Sequence, residues 1–317
     1  MATQMKLEFN AKERVLLALT LLLAPIFVCE VFGVAAMRAR AAFRDAPTAA
    51  LMPQFSDLPT GLAIALVIVA LRFVLAKLFQ PIGYVILAPA KRTTERVERF
   101  ATVLFKFLYF VVITAAGYAI MKDEPWFPTS LGGKGDVVES FRVIDTPPSP
   151  ALKLYFLVQL GYHTHSLIYM LLLTPIRNDF LEMLLHHVAT IFLIGSSFLA
   201  NYTANGAIVT FLHDTGDIAA YAIKSVVDTG NTPLAVTVYL GLLAAWGYTR
   251  LWVFPRDLIY NTVVVLPQVN PGVSTTFLQP INAMLCMLQL LHIYWYVLFL
   301  FMGYLLLKTG KQEDIQQ

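Results

Sequence analysis

Eight stretches of this sequence are each apolar for about the 20 residues that a helix needs to cross roughly 30 Å of hydrocarbon. They fall at 15–34, 58–79, 100–121, 152–173, 181–200, 206–223, 234–254 and 281–307. A backbone in lipid must satisfy its own hydrogen bonds, so runs of this length predict helices and no open sheet. Composition agrees: 58% of the 317 residues are apolar and 14% are charged. Soluble domains are nearer half and a quarter, so an ordinary cytosolic enzyme is excluded. Disorder is excluded too, since it needs few apolar residues and high net charge. With 23 Lys+Arg against 20 Asp+Glu the net charge is only +3. No basic stripe is present, so nucleic acid is not an expected partner. The fold class is an all-α polytopic membrane protein with about eight transmembrane helices.

The connections carry the punctuation expected of such a chain. The span at 15–34 is longer than a signal-peptide core and has no clear small-residue cleavage site close behind it, so it reads as a retained anchor. Pro81 and Pro89 close the second span. The longest polar stretch, 122–150, is rich in Pro and Gly and reads as a loop. The half-apolar stretch 255–280 reads as a second loop on the membrane surface. Cys29 and Cys286 lie in apolar runs and read as small buried hydrophobes, not a disulfide or a metal site. There is no internal repeat.

Lysines and arginines near span ends favour the cytoplasm. Lys91, Arg92, Arg96 and Arg99 cluster in one connection, and Lys308 and Lys311 lie in the tail. Both termini are therefore expected in the cytosol. That places the acidic loop with Asp123, Glu124, Asp136, Glu139 and Asp145 in the lumen, against the contrary pull of Arg38, Arg40 and Arg44.

The functional signal is where the polar groups sit. All six histidines fall within predicted spans. An aspartate at a helix centre costs about 2.5–3.5 kcal/mol on insertion scales, so Asp214 and Asp217 need partners, water or protonation. Helical spacing collects such groups onto stripes. One holds Asp179, Glu182, His186, Thr190, Ser197 and Asn201, and another Gly206, Thr210, Asp214, Asp217, Tyr221 and Lys224. Gln159, His163 and Ser166 lie on the fourth span, and Asn282, Gln289, His292 and Tyr296 on the eighth. Four polar stripes suggest one shared interior cavity.

Plainer readings exist for some of these. Thr190, Ser197 and Asn201 suit interhelical hydrogen bonding. His163 or His292 alone suits a satisfied core histidine. Arg72, Lys77 and Lys106 suit snorkelling. Asn201-Tyr202-Thr203 matches a glycosylation sequon, but it adjoins the membrane in a tight turn and no sugar is expected there. His186 and His187 with Asp214 and Asp217 resist such readings. Adjacent histidines point about 100° apart on a helix, so they can hardly share one metal ion. The metalloprotease spacings are absent and no Cys is near, so no metal is assigned. The residue types suit acyl transfer instead. Histidine can remove a proton or hold an acyl group, and a carboxylate can orient it. No G-x-S-x-G elbow accompanies them, which argues against a serine hydrolase.

The stretch from Arg177-Asn178-Asp179-Phe180 through Leu185-His186-His187-Val188-Ala189-Thr190, then Ser196-Ser197-Phe198, Asn201, Gly206 and Leu212-His213-Asp214-Thr215-Gly216-Asp217, closely resembles the signature of the ceramide synthases of the TLC-domain family. Weaker similarity runs over 91–307, including Leu251-Trp252-Val253-Phe254-Pro255 and His292-Ile293-Tyr294-Trp295. Gly216 departs from the small hydroxyl or alanine usual at its position. The resemblance implies a TLC acyltransferase domain at 91–307, with 1–90 outside it and 308–317 a polar cytosolic tail. Six or seven of the helices would form a barrel around a central cavity, in the endoplasmic reticulum membrane. It implies transfer of a fatty acyl group from acyl-CoA to a long-chain sphingoid base, with no cofactor besides that co-substrate. Membrane lipids and a second copy of the chain are the further partners. His186, His187, Asp214 and Asp217 would be catalytic, His186 as acyl acceptor or base. His213, Thr190, Ser197, Asn201, His163, Gln159 and His292 would line the polar cavity. One carboxylate, Asp214, is expected to pair with a histidine of the fifth span, and the other to place the sphingoid amine. The alternative is a TLC-fold protein that binds or moves lipid without chemistry, for which the intact histidine pair has no use. A proton-coupled transporter would show inverted repeats, which are absent.

Overall fold

The computed structural model describes residues 51–173, 178–272 and 275–309. The predicted span at 15–34, Cys29, Arg38, Arg40, Arg44 and both termini lie outside the described residues. Seven long helices follow one another: α1 Leu58–Ile86, α2 Thr94–Met121, α3 Pro150–Leu173, α4 Phe180–Leu199, α5 Thr203–Val226, α6 Thr232–Trp246 and α7 Thr275–Thr309. Among the described residues the only β-type pairing is an isolated bridge between Pro128 and Gly135. Among the described residues, six stretches are long and apolar enough to cross a membrane. The seventh helix, α5, misses that standard because Asp214, Asp217 and Lys224 depress its hydropathy. It is nevertheless as long as α3 and packs against α2, α3, α4 and α6, with its charged face turned inward.

The two ends of the bundle differ in charge. At one end Lys91 and Arg96 each lie 2.8 Å from Asp228, tying the α1–α2 connection to the α5–α6 turn. At the other, the 122–149 loop is stitched over the helix ends. Ser130 donates to Asp257 at 2.7 Å, Tyr248 donates to the Ser130 carbonyl at 2.8 Å, and Trp126, Phe127 and Phe141 are buried beneath. The Asn201 amide donates to the carbonyls of Ile144 at 2.7 Å and Thr146 at 2.8 Å. Asn201 itself has φ +57°, a left-handed turn between α4 and α5 that asparagine tolerates better than most residues.

Lipid-facing character is written on the outside. Leu62, Leu66, Val112, Leu172, Leu240 and Leu290 are all exposed on the bundle's flanks. Helices meet where side chains are small, as membrane helices do. A Cβ at Gly161 of α3 would sit 2.9 Å from the Gly61 carbonyl of α1 and 2.8 Å from Ile64.

Three expectations change. Pro81 does not close the second span, because α1 runs through it to Ile86. The stretch after 254 is not a surface loop. The chain continues from α6 as a wide-turned π-helix through Gly247–Ile259 and Asn261–Val265, ending in the short helix Leu266–Val269. An α-helix is broken by proline, which clashes with the carbonyl four residues back. Here the ladder runs five back, with the Tyr260 N–H donating to the Pro255 carbonyl, and the chain passes the proline unbroken. Finally, Cys286 is exposed on the flank of α7, not buried; in lipid an apolar run carries no signal for which side faces in.

Candidate active site

The middle of α5 holds the charges. Asp214 is 1% exposed, and its Oδ2 accepts from the Gln159 side-chain amide and from the Tyr155 hydroxyl at 3.3 Å, both on α3. Tyr155 in turn accepts from the Gln159 amide at 3.0 Å and has the Thr210 hydroxyl 3.3 Å away. Tyr109 of α2 donates to the Gln159 amide oxygen at 3.5 Å, so the node ties α3, α5 and α2 together. This corrects the expectation that Asp214 pairs with a histidine of α4. Helical spacing identifies a shared face but not which neighbouring helix that face meets.

Asp217 forms an ion pair with Arg250, a residue only 2% exposed on the wide-turned helix. The same Arg250 Nη2 donates to the His213 carbonyl at 2.9 Å, and its guanidinium lies 4.0 Å from the centre of the Trp246 ring. Its Nε is buried with no hydrogen-bond partner in the protein. Residue 216 sits directly against it. A Cβ at Gly216 would come within 2.8 Å of Arg250 Nε, so the glycine that departs from the ceramide synthase pattern borders the ion pair, not the protein surface.

The histidines form a chain through aromatic rings. His213 Nδ1 is 2.6 Å from the Val209 carbonyl, which can only accept, so the proton is on Nδ1. His213 Nε2 then accepts from His292 Nε2 at 3.1 Å, leaving His292 Nδ1 buried and without a partner. Trp246 packs its edge on His292 and Trp295, with centroids 6.0 and 6.1 Å apart. Trp295 meets His186 at 5.4 Å, His186 meets His187 at 5.6 Å, and His187 meets His163 at 6.5 Å. The Nδ1 atoms of His163, His186 and His187 are buried with no partner in the protein. Arg250 lies close enough to His163, His186, His213 and His292 to act on each electrostatically. Imidazole nitrogens with no partner in the protein, held near a fixed cation, suit nucleophilic attack or proton removal.

The structure therefore gathers His186, His187, His163, His213, His292, Asp214, Asp217 and Gln159. It leaves others outside. Thr190 donates back to the His186 carbonyl at 2.8 Å, the ordinary habit of a helical threonine. Ser197 faces Phe141 and Tyr202 toward the loop end, and Asn201 is committed to the loop carbonyls. Among the described residues no three His, Cys, Asp or Glu side chains converge where a metal could sit. An opening of about 450 Å³ between α2, α5 and Tyr248 lies beside this assembly with Thr215 and Thr249 in its wall.

Arg250, Tyr155 and Trp246 escaped the sequence reading. An arginine far from the basic end of a long apolar stretch was the available signal for the first. Snorkelling, the sequence expectation for Arg72, does not describe it: the residue is 4% exposed and its Nη1 lies 3.4 Å from His165 Nε2. Its side chain finds a polar partner inside the bundle before it can reach an interface.

Comparison with known proteins bears on these residues. The chain is 30% identical over 216 residues to ceramide synthase 3 of Homo sapiens, covering 68% of this chain and 52% of that protein. To human ceramide synthase 4 it is 28% identical over 217 residues, covering 68% and 52%. To ceramide synthase LOH1 of Arabidopsis thaliana it is 26% identical over 216 residues, covering 66% and 68%. The chain thus spans about half the length of the mammalian relatives. The family model described as the TLC domain matches residues 99–300, a stretch that begins in α2, ends in α7 and contains every histidine and both aspartates of the assembly. On that match, over more than half of its length, the chain belongs to the TLC-domain family.

Proposed function

We propose that this chain is a ceramide synthase, moving a fatty acyl group from acyl-CoA to the amine of a long-chain sphingoid base. The observation that carries the reading is the His186–His187 pair, whose Nδ1 atoms are buried with no partner in the protein, with His186 within Coulombic reach of Arg250. Binding or moving lipid needs no such set of unpartnered imidazole nitrogens.

Two routes use these residues. In the first, a His186 nitrogen attacks the thioester carbonyl, the C–S bond breaks, and an acyl-imidazole forms as the CoA thiolate departs. The amine then attacks that carbonyl, the C–N(imidazole) bond breaks, and the amine's proton goes to the thiolate through a histidine. In the second, His186 removes the amine proton during direct attack on the thioester. Either way one amide and one CoA thiol result. The Arg250 cation, pinned by Asp217, would steady the negative charge that develops on the carbonyl oxygen. Asp214, wired to Tyr155 and Gln159, would hold the middle of α5 in register with α3.

The same reading places the protein in the endoplasmic reticulum membrane with Lys91, Arg96 and Lys308 toward the cytosol, where CoA is met. Helices α2 to α7 would form the TLC-type barrel, with the acyl chain lying between them. The test is to incubate the purified protein in nanodiscs with labelled sphinganine and palmitoyl-CoA. Amide product is expected, and its absence over a range of acyl lengths would remove the reading.

A further inference from the structure

Arg72 is unlike the other buried charges. It lies midway along α1, which precedes the segment matched by the TLC family model. The residue is 4% exposed. Among the described residues no carboxylate lies within ion-pair distance of it. Its Nη1 is 3.4 Å from His165 Nε2, whose Nδ1 donates to the Tyr162 carbonyl at 3.1 Å. Its guanidinium lies 3.2 Å from the centre of the Tyr169 ring, and its Nε has no partner in the protein. A cation at this depth, held by a neutral imidazole and an aromatic face, keeps unspent hydrogen-bonding capacity.

Two more cations stand near it. Lys106 of α2 lies 3.4 Å from the Tyr221 hydroxyl, and Lys224 of α5 is 5.5 Å from the centre of that ring. Tyr221 is also among the groups that act on Arg72 electrostatically. Lys106 and Lys224 both act electrostatically on Asp217, the ion-pair partner of Arg250. Arg72, Lys106 and Lys224 form a basic group around Tyr169 and Tyr221. It is also placed toward the basic end: Tyr169 lies about one turn from the end of α3 at Leu173, and Lys224 lies in the last turn of α5. The Tyr169 ring that lies against the Arg72 guanidinium is itself partly exposed.

We propose that Arg72, with Lys106 and Lys224, receives a phosphate group of a ligand entering at the basic end. Resting on the acyltransferase reading, that phosphate belongs to the coenzyme A part of the acyl donor. A guanidinium offers two parallel donors to phosphate oxygens, a geometry that no neighbour of Arg72 uses. Helix α1 thereby becomes part of donor recognition, with the reacting histidines supplied by helices further along the chain.

The experiment uses the full chain in phosphatidylcholine nanodiscs and two donors with the same thioester, palmitoyl-CoA and S-palmitoyl-pantetheine, which lacks every phosphate. Wild type should prefer the CoA donor in kcat/KM by tenfold or more. In Arg72→Gln that preference should fall toward parity, with Arg72→Lys between. Because the readout is a ratio, a lower active fraction does not mimic it. Lys106→Gln should shrink the ratio in the same direction, which keeps the test alive if Arg72→Gln does not fold. An unchanged ratio in both variants overturns the proposal. Melting with free CoA supplies the second arm: CoA should raise the wild-type midpoint more than pantetheine does, and not in Arg72→Gln. No CoA effect on wild type overturns the site. An Arg72-dependent shift with phosphatidic acid in the nanodisc but not with CoA overturns the donor assignment in favour of a lipid phosphate. If wild type makes no amide from either donor yet CoA still stabilises it through Arg72, the acyltransferase reading falls and the phosphate site stands.

Discussion

Arg250 and Asp217 form an ion pair inside the helix bundle, the arginine on the wide-turned helix and the aspartate on α5. The arginine also reaches the His213 carbonyl at 2.9 Å, so one side chain joins the carboxylate to the histidine chain.

Removing one member of such a pair leaves an uncompensated buried charge, a loss of about 3–5 kcal/mol in comparable cases, whereas replacing both by apolar groups is often neutral. Arg250→Met and Asp217→Leu should each lower the melting midpoint strongly, and the double variant should recover most of it. Turnover should stay lost in all three. Melting in nanodiscs beside the amide assay reads both; a double variant that melts lower than either single, by about the sum of their losses, would mean the two residues are not energetically coupled.

The sequence makes the site's histidines legible because a polar residue in an apolar run stands out at once. His186, His187, His213 and His292 announce themselves this way, and α5 is recognisable as a span despite Asp214 and Asp217. Arg250 is less legible, since the span ruler stops near Phe254 and arginines near span ends are discounted. The wide-turned segment that aims it inward has no periodicity signal at all: turns of this kind arise from packing, here around Pro255. The Asp214–Gln159–Tyr155 node is equally hidden. It depends on α3 lying against α5, and residue spacing within one helix carries no information about its neighbour.

His186 bears the chemistry in the proposed mechanism. His186→Ala should reduce turnover by on the order of 10²–10⁴-fold, the usual consequence of losing a proton-transfer group. The fold should survive, because the ring's Nδ1 has no bond to lose and its contact with Trp295 is an edge packing at 5.4 Å. Intact-protein mass after exposure to acyl-CoA alone separates the two routes. An adduct present in wild type and absent in the variant supports the acyl-imidazole; no adduct favours direct attack. Near-normal turnover in the variant would remove His186 from the mechanism.

Orientation follows from the charge at the bundle's two ends. Lys91 and Arg96 sit at one end and the loop carrying Asp123, Glu124 and Asp136 caps the other. In sealed microsomes, tags at both termini should be cleaved by added protease, and one placed after Gly133 should be protected. The reverse pattern would invert the protein and put the acyl-CoA entry at the wrong face.

The His213–His292 contact at 3.1 Å has a defined direction, with His292 as donor. His292→Gln retains an N–H that can reach the same acceptor, whereas His292→Leu leaves His213 Nε2 buried and unpaired. The leucine variant should lose about 1–3 kcal/mol, the penalty for orphaning a buried polar group, and the glutamine variant distinctly less. Equal losses would indicate that packing against Trp246 and Phe254 matters and the hydrogen bond does not.

Asp214 separates shape from charge most cleanly. Its Oδ2 accepts from Gln159 and Tyr155, and both bonds survive in Asp214→Asn, because the amide oxygen can take the same place. Folding should therefore be close to wild type. Turnover should fall tenfold or more if the carboxylate's charge balances the cationic histidine that each route passes through. Tyr155→Phe removes one donor and keeps the charge, so its loss should be confined to about 1 kcal/mol of stability, with turnover mostly retained. The rate should climb from mildly acidic to mildly alkaline pH in wild type, as the sphingoid amine sheds its proton, and the climb should shift in Asp214→Asn but not in Tyr155→Phe. If Asp214→Asn keeps wild-type turnover and an unshifted profile, the carboxylate only braces α5 against α3, and the charge for catalysis comes from Asp217 and Arg250 alone.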